Sequence, residues 1–71
     1  MTNAWHRAFK DMSRADAAID RANVLIVKSP DEAVKYLHLP EVYDSIVGYY
    51  GRRAWETLLE TAKAAKEKAV N

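Results

Sequence analysis

The sequence predicts an all-α fold, a small helical bundle of three to four helices with a long N-terminal helix, completed by dimerisation. Three observations carry this reading. Trp5, Met12, Ile19 and Ile26 recur every seven residues, with Ala8, Ala15 and Ala22 in a second column three residues further on. A column of large side chains beside a column of small ones is a seam along which another helix can approach closely. Second, Ser29-Pro30 and Leu39-Pro40 divide the rest of the chain into helix-sized pieces. Third, Trp55, Leu58, Leu59, Ala62, Ala65 and Ala69 share one face of a C-terminal amphipathic segment.

The first helix spans most of Thr2 to Lys28, with Thr2 or Asn3 able to cap it. Its last turns, Asn23-Val24-Leu25-Ile26-Val27, have the β-branched content of a strand. The chain offers no second strand to pair with it, and an unpaired strand leaves backbone groups unsatisfied. Ile26 also keeps the heptad register, so helix is the expectation; a strand here would have to pair with the same strand of a second copy.

Ser29 reads as an N-cap, Pro30 as the first helical residue and Glu32 as the far half of a capping box. Pro30 also disfavours helical geometry at Ser29, which ends the first helix there. A short second helix follows, with Ala33, Val34 and Leu37 inward. Pro40 opens the next helix, in which Val42, Tyr43, Ile46, Val47 and Tyr50 follow helical spacing. Gly48 and Gly51 bracket Tyr49-Tyr50. A glycine costs about 1 kcal/mol in a helix interior, so a break is expected near Gly51, although one continuous helix from Glu41 onward also fits the spacing. The C-terminal helix is expected to fold back antiparallel to the first.

At 71 residues the chain is one domain. A domain this small buries only about 60% of its unfolded surface and usually leans on disulfides, a metal or oligomerisation. There is no cysteine, and the two histidines, His6 and His38, lie far apart. Twelve of the apolar residues are alanine, which favours helix but contributes little burial energy. Oligomerisation is the remaining supplement; the column Trp5, Ala8, Met12, Ala15, Ile19, Ala22 and Ile26 serves either as the self-association seam or as packing against the C-terminal helix.

The net charge of +1 is unevenly spread: residues 1–28 carry +2, residues 29–50 carry −3 and residues 51–71 carry +2. No signal peptide is read at the N-terminus, and the longest wholly apolar run, Val24 to Val27, is far too short to span a bilayer. With the absence of cysteine this gives an expectation of a cytoplasmic protein that does not engage a membrane.

Chemistry-bearing motifs are sparse. No glycine-rich phosphate loop, nucleophile elbow or metal-ligand spacing occurs, so no catalytic residue, metal or cofactor is assigned and an enzyme is not expected. Asp16 and Asp20 share a helix face, as solvated charges commonly do. Tyr36, Tyr43, Tyr49 and Tyr50, with Arg52 and Arg53 following, are the residue types enriched at protein–protein hot spots. Tyr43 and Tyr50 also fit inward positions, and adjacent Tyr49 and Tyr50 cannot both point inward. Arg52 and Arg53 sit where a helix starts, against the sign of its dipole. Residues 32–40, Glu-Ala-Val-Lys-Tyr-Leu-His-Leu-Pro, resemble the first helix and turn of a helix-turn-helix. That resemblance implies a dimeric DNA-binding regulator reading with residues 41–50. The leading expectation is a small non-enzymatic regulator that binds another protein and forms a homodimer; DNA reading is the alternative, and Tyr-Tyr-Gly-Arg-Arg binding unpaired bases is a third.

Overall fold

The computed structural model describes residues 3–70, with side chains described for residues 12–68. The side chains of Trp5, His6, Ala8 and Ala69, and the cap expected from Thr2 or Asn3, lie outside the described residues. Four helices, and no strand, make up the described chain: α1 (Asn3–Lys28), α2 (Pro30–Leu37), α3 (Pro40–Tyr50) and α4 (Arg52–Val70). Val24 to Val27 are helical, in line with the heptad register and not with their β-branched composition.

Each joint is short and has a local cause. Ser29 alone separates α1 from α2. Its N–H donates to the Leu25 carbonyl at 2.7 Å and its carbonyl accepts from the Ala33 N–H at 3.0 Å, so one residue belongs to both helical ladders. The capping box expected there does not form: Ser29 makes no side-chain cap bond. The reason is that Leu25 already holds the Ser29 N–H to which Glu32 would have to reach back. Leu39, extended at φ −66° and ψ 133° as a residue before proline must be, separates α2 from α3. Gly51 separates α3 from α4 at φ 97° and ψ 162°, a conformation essentially reserved for glycine. Residues 41–70 are therefore two helices.

The helix directions follow from long-range contacts. α1 and α2 are joined by Ser29 alone and pack along each other, with Arg21 acting on Tyr36, so the pair is antiparallel. On α3, Glu41 and Val42 lie beside Ala18 and Arg21, and the Tyr50 hydroxyl donates to Asp16, so α3 also runs against α1. On α4, Trp55 meets Leu37 and Lys66 meets Asp31 at 3.0 Å, so α4 runs against α2. It follows that α4 runs in the same sense as α1, not antiparallel to it as expected. The chain reverses at Ser29 and at Gly51 only; the break at His38-Leu39 lets α3 continue the descent of α2, and those two helices scarcely touch each other. The result is an up–down–up bundle, 54 × 19 × 15 Å, whose middle leg is broken in two.

Leu37 and Ile46, both on the broken leg, are the largest fully buried side chains. Around them lie Val42, Leu59 and the alanines 18, 22, 33 and 62. Ala15 and Ala22, two of the seven seam residues, are fully buried within the single chain, and Ile19 and Ile26 pack half-buried beside that core. The alanine column therefore serves close packing inside the chain. Ala15 and Ala22, covered by their own chain, take the intramolecular of the two roles open to that column.

Trp55 holds the broken leg together. The last four carbonyls of a helix have no partner within it. At the end of α2 all four are met: Val34 by His38 Nδ1 at 2.8 Å, Lys35 by the His38 N–H at 3.2 Å, Tyr36 by the Leu39 N–H at 3.1 Å and Leu37 by Trp55 Nε1 at 2.7 Å. Because a carbonyl only accepts, Nδ1 of His38 carries the hydrogen. The Trp55 ring also stands edge-on to Tyr43 at 4.8 Å and to His38 at 5.6 Å. Replacing Trp55 by Phe keeps an aromatic ring but removes the pyrrole half of the indole with its N–H donor, leaving the Leu37 carbonyl short of a partner. Urea denaturation of Trp55→Phe is expected to show a loss of about 1–3 kcal/mol without loss of helix content at low denaturant.

The two glycines make opposite predictions. A Cβ on Gly48 would meet nothing within 4 Å, so Gly48→Ala is expected to raise stability by roughly 0.5–1 kcal/mol. Gly51→Ala forces a side chain into the positive-φ conformation and is expected to cost about 1–3 kcal/mol in the same denaturation experiment.

Candidate functional site

The α3–α4 corner is built by the end of one helix and the start of the next across Gly51. Tyr49 and Tyr50, the last residues of α3, are 43% and 45% exposed. Their rings stack edge to face at 4.7 Å and 85°. The two were not expected to point inward together, and Tyr50 fitted an inward position. Tyr50 does not take it, because Val42 and Ile46 supply the buried face of α3 and Gly51 turns the chain away directly after Tyr50. The Tyr50 hydroxyl finds its partner at the surface instead, donating to Asp16 of α1.

The expected arginines follow on the first turn of α4. Arg52 Nε lies 3.3 Å from Glu56 Oε2, an exposed pair one helical turn apart. Arg53 is exposed and shares the outer side of α4 with Glu56 and Glu60. No acidic residue occupies that first turn, so two cations sit at the positive end of the helix dipole. Tyr43 and Tyr36 are separate from this corner. Tyr43 is half-buried against Trp55, a packing role. Tyr36 is half-buried with Arg21 and Glu41 near it; burial, chiefly, raises its pKa above the ordinary phenol value, with Arg21 opposing and Glu41 adding. Of the six aromatic and arginine residues singled out, the fold brings Tyr49, Tyr50, Arg52 and Arg53 to one corner and leaves Tyr36 and Tyr43 elsewhere.

A second surface was missed by the reading of motifs. A groove runs between α1 and α3, with Arg14 and Arg21 on one bank and Glu41 and Asp44 on the other. Gly48 is exposed and lines the groove at its Tyr49 end. The signal for one bank was present in the sequence: Arg7, Arg14, Arg21 and Lys28 recur every seven residues. The other bank comes from a different helix, and only the packing of α3 on α1 brings it alongside.

The helix-turn-helix resemblance meets a different geometry. A helix-turn-helix packs its two helices on each other at a steep angle. Here α2 and α3 both run against α1 and make little mutual contact. α3 carries no Lys or Arg, and its exposed positions include Glu41 and Asp44. Among the described residues no group of three or more His, Cys, Asp or Glu side chains converges, and no helix is long and apolar enough to cross a membrane. Searches against known protein families, curated proteins and solved structures find no match to this chain.

Two exposed polar contacts between helices carry a pH signature. Lys66 and Lys35 beside Asp31 hold its carboxyl below the usual carboxylate value of 3.8, chiefly through the hydrogen bond from Lys66. The hydrogen bond to Asp16 raises the Tyr50 phenol above 10.0, burial and the charge on Asp16 adding to it. A lowered carboxylate pKa gives stability that is present above the unfolded value and lost as pH falls through the folded one; a raised phenol pKa gives stability present below the unfolded value and lost as pH rises through the folded one. The advantage of wild type over Lys66→Ala is therefore expected to be full above pH 3.8 and to fade below it. Its advantage over Tyr50→Phe is expected to be full below pH 10.0 and to shrink above it, both read as urea midpoints across pH.

Proposed function

We propose that this chain is a small non-enzymatic regulator that binds another protein through the α3–α4 corner and acts as a homodimer. The observation that carries the reading is the stacked, uncovered Tyr49–Tyr50 pair. Tyrosine offers large contact area at a small entropy cost, and a pair already stacked is pre-organised. A further feature supports it. Arg52 and Arg53 stand where the helix dipole disfavours them, and local rules are broken most often at functional sites. A cytoplasmic setting belongs to the same proposal, because a small secreted domain would ordinarily rely on disulfides and this chain has no cysteine.

The test is a tagged pull-down from lysate of the source cells or their host, split with and without nuclease, using wild type, Tyr49→Ala and Arg53→Ala. A protein retained by wild type after nuclease, and retained about 30-fold less well by Tyr49→Ala at unchanged helicity, is the expected result. Unaltered binding by both variants means that the corner is not the binding surface. If everything recovered disappears with nuclease, the DNA-binding alternative takes the place of this reading.

A further inference from the structure

We infer that the homodimer forms across the groove between α1 and α3, with the basic bank of each copy laid over the acidic bank of the other. The inference rests on the dimer part of the function proposed above and assigns it a surface. Arg14 and Arg21 line one bank from α1, and Glu41 and Asp44 line the other from α3. All four are exposed, and among the described residues none of them enters an ion pair. Two rows of opposite charge, side by side on one face, are self-complementary. Rotating a second copy by a half-turn about an axis along the groove sets its α1 over α3 of the first copy, and the reverse. Arg21 then faces Glu41 of the other copy, and Arg14 reaches toward Asp44 and Tyr49. Each contact occurs twice, as an isologous interface requires.

The groove suits the approach. Gly48 lies in a helix interior, where glycine is costly, and a Cβ there would meet nothing within 4 Å. Packing within the chain gives no reason for a glycine at this position. Close approach of a second backbone does. Ala17, exposed on the α1 side of the groove, is likewise short.

Two other occupants fit less well. The basic column alone would suit a nucleic acid, but the acidic bank beside it repels phosphates. Val24 and Val27 form an uncovered apolar spot, with Val27 83% exposed, but the charged residue lining it, Lys28, offers no opposite charge to a second copy.

The interface is tested by charge reversal in two separate chains, Arg21→Glu and Glu41→Arg, with masses read by sedimentation equilibrium and native mass spectrometry. Wild type is expected to be dimeric, with an affinity that falls as salt rises. Each variant alone sets like charges opposite each other twice and is expected to self-associate about 100-fold or more weakly, at unchanged helicity. Mixed together, the two variants set opposite charges across both contacts and are expected to form a heterodimer. Gly48→Leu, which fills the groove at its Tyr49 end, is expected to weaken the wild-type dimer while the chain stays folded. A monomeric wild type overturns both the dimer and the surface, and a monomer that instead binds duplex DNA assigns the basic column to nucleic acid. A dimer that survives both reversals, or that Val27→Asp abolishes while Arg21→Glu does not, overturns this surface and leaves a dimer formed elsewhere.

Discussion

The hydrogen bond from Trp55 to the Leu37 carbonyl is the contact on which the arrangement depends. Pro40 obliges the middle leg of the bundle to break, and a break exposes carbonyls that a continuous helix would satisfy. His38 and Leu39 meet three of them from within the leg, and Trp55 meets the fourth from α4. The same indole packs edge-on to Tyr43 and His38, so one side chain touches the end of α2, the joint and the first turn of α3. It thereby fixes where α4 begins relative to both halves of the leg. The tyrosine corner and the α1–α3 groove inherit their positions from that anchor.

The core explains why the anchor matters so much. Among the described residues most of its fully buried members are alanines, with Leu37 and Ile46 as the only large ones, both on the broken leg. Alanine lets helices approach closely and loses no side-chain entropy, but it removes little apolar area from water. Burial therefore does less to fix the helices than in a leucine-rich bundle. Directional contacts fix more of the arrangement, since Trp55 to Leu37, Tyr50 to Asp16 and Lys66 to Asp31 each tie one helix to another. The latter two are exposed and titratable, so their contribution varies with pH and salt.

Departures from good helix design are concentrated at one end of α3 and the adjoining start of α4. Gly48 interrupts a helix, Tyr49 and Tyr50 lie open to solvent, and Arg52 and Arg53 oppose the α4 dipole. Apart from the Tyr50 contact with Asp16, none of these choices is required by packing inside the chain. Their proximity places the corner beside the Tyr49 end of the groove, so the proposed partner and self-association surfaces adjoin at Tyr49.

By itself the sequence determined the all-α class and the limits set by proline. Pro30 and Pro40 act through sterics on the preceding residue, so the boundaries at Ser29 and Leu39 were legible from local rules; Gly51 permits a break without forcing one, so the spacing left one helix or two open over 41–70. The inward positions Ala33, Leu37, Val42, Ile46, Leu59 and Ala62 were legible too, because helical periodicity is a local geometric fact. Tertiary structure alone decided the rest. Whether Ala15 and Ala22 face the chain's own core or a second copy depends on which helix lies over them, and the heptad pattern is the same in both cases. The sense of α4 depends on whether the break in the middle leg reverses the chain, which Leu39-Pro40 does not specify. Glu41 and Asp44 become neighbours of Arg14 and Arg21 only when α3 packs on α1. A residue's own backbone preferences are encoded in a few adjacent side chains; which distant helix it meets is settled by the packing of the whole chain.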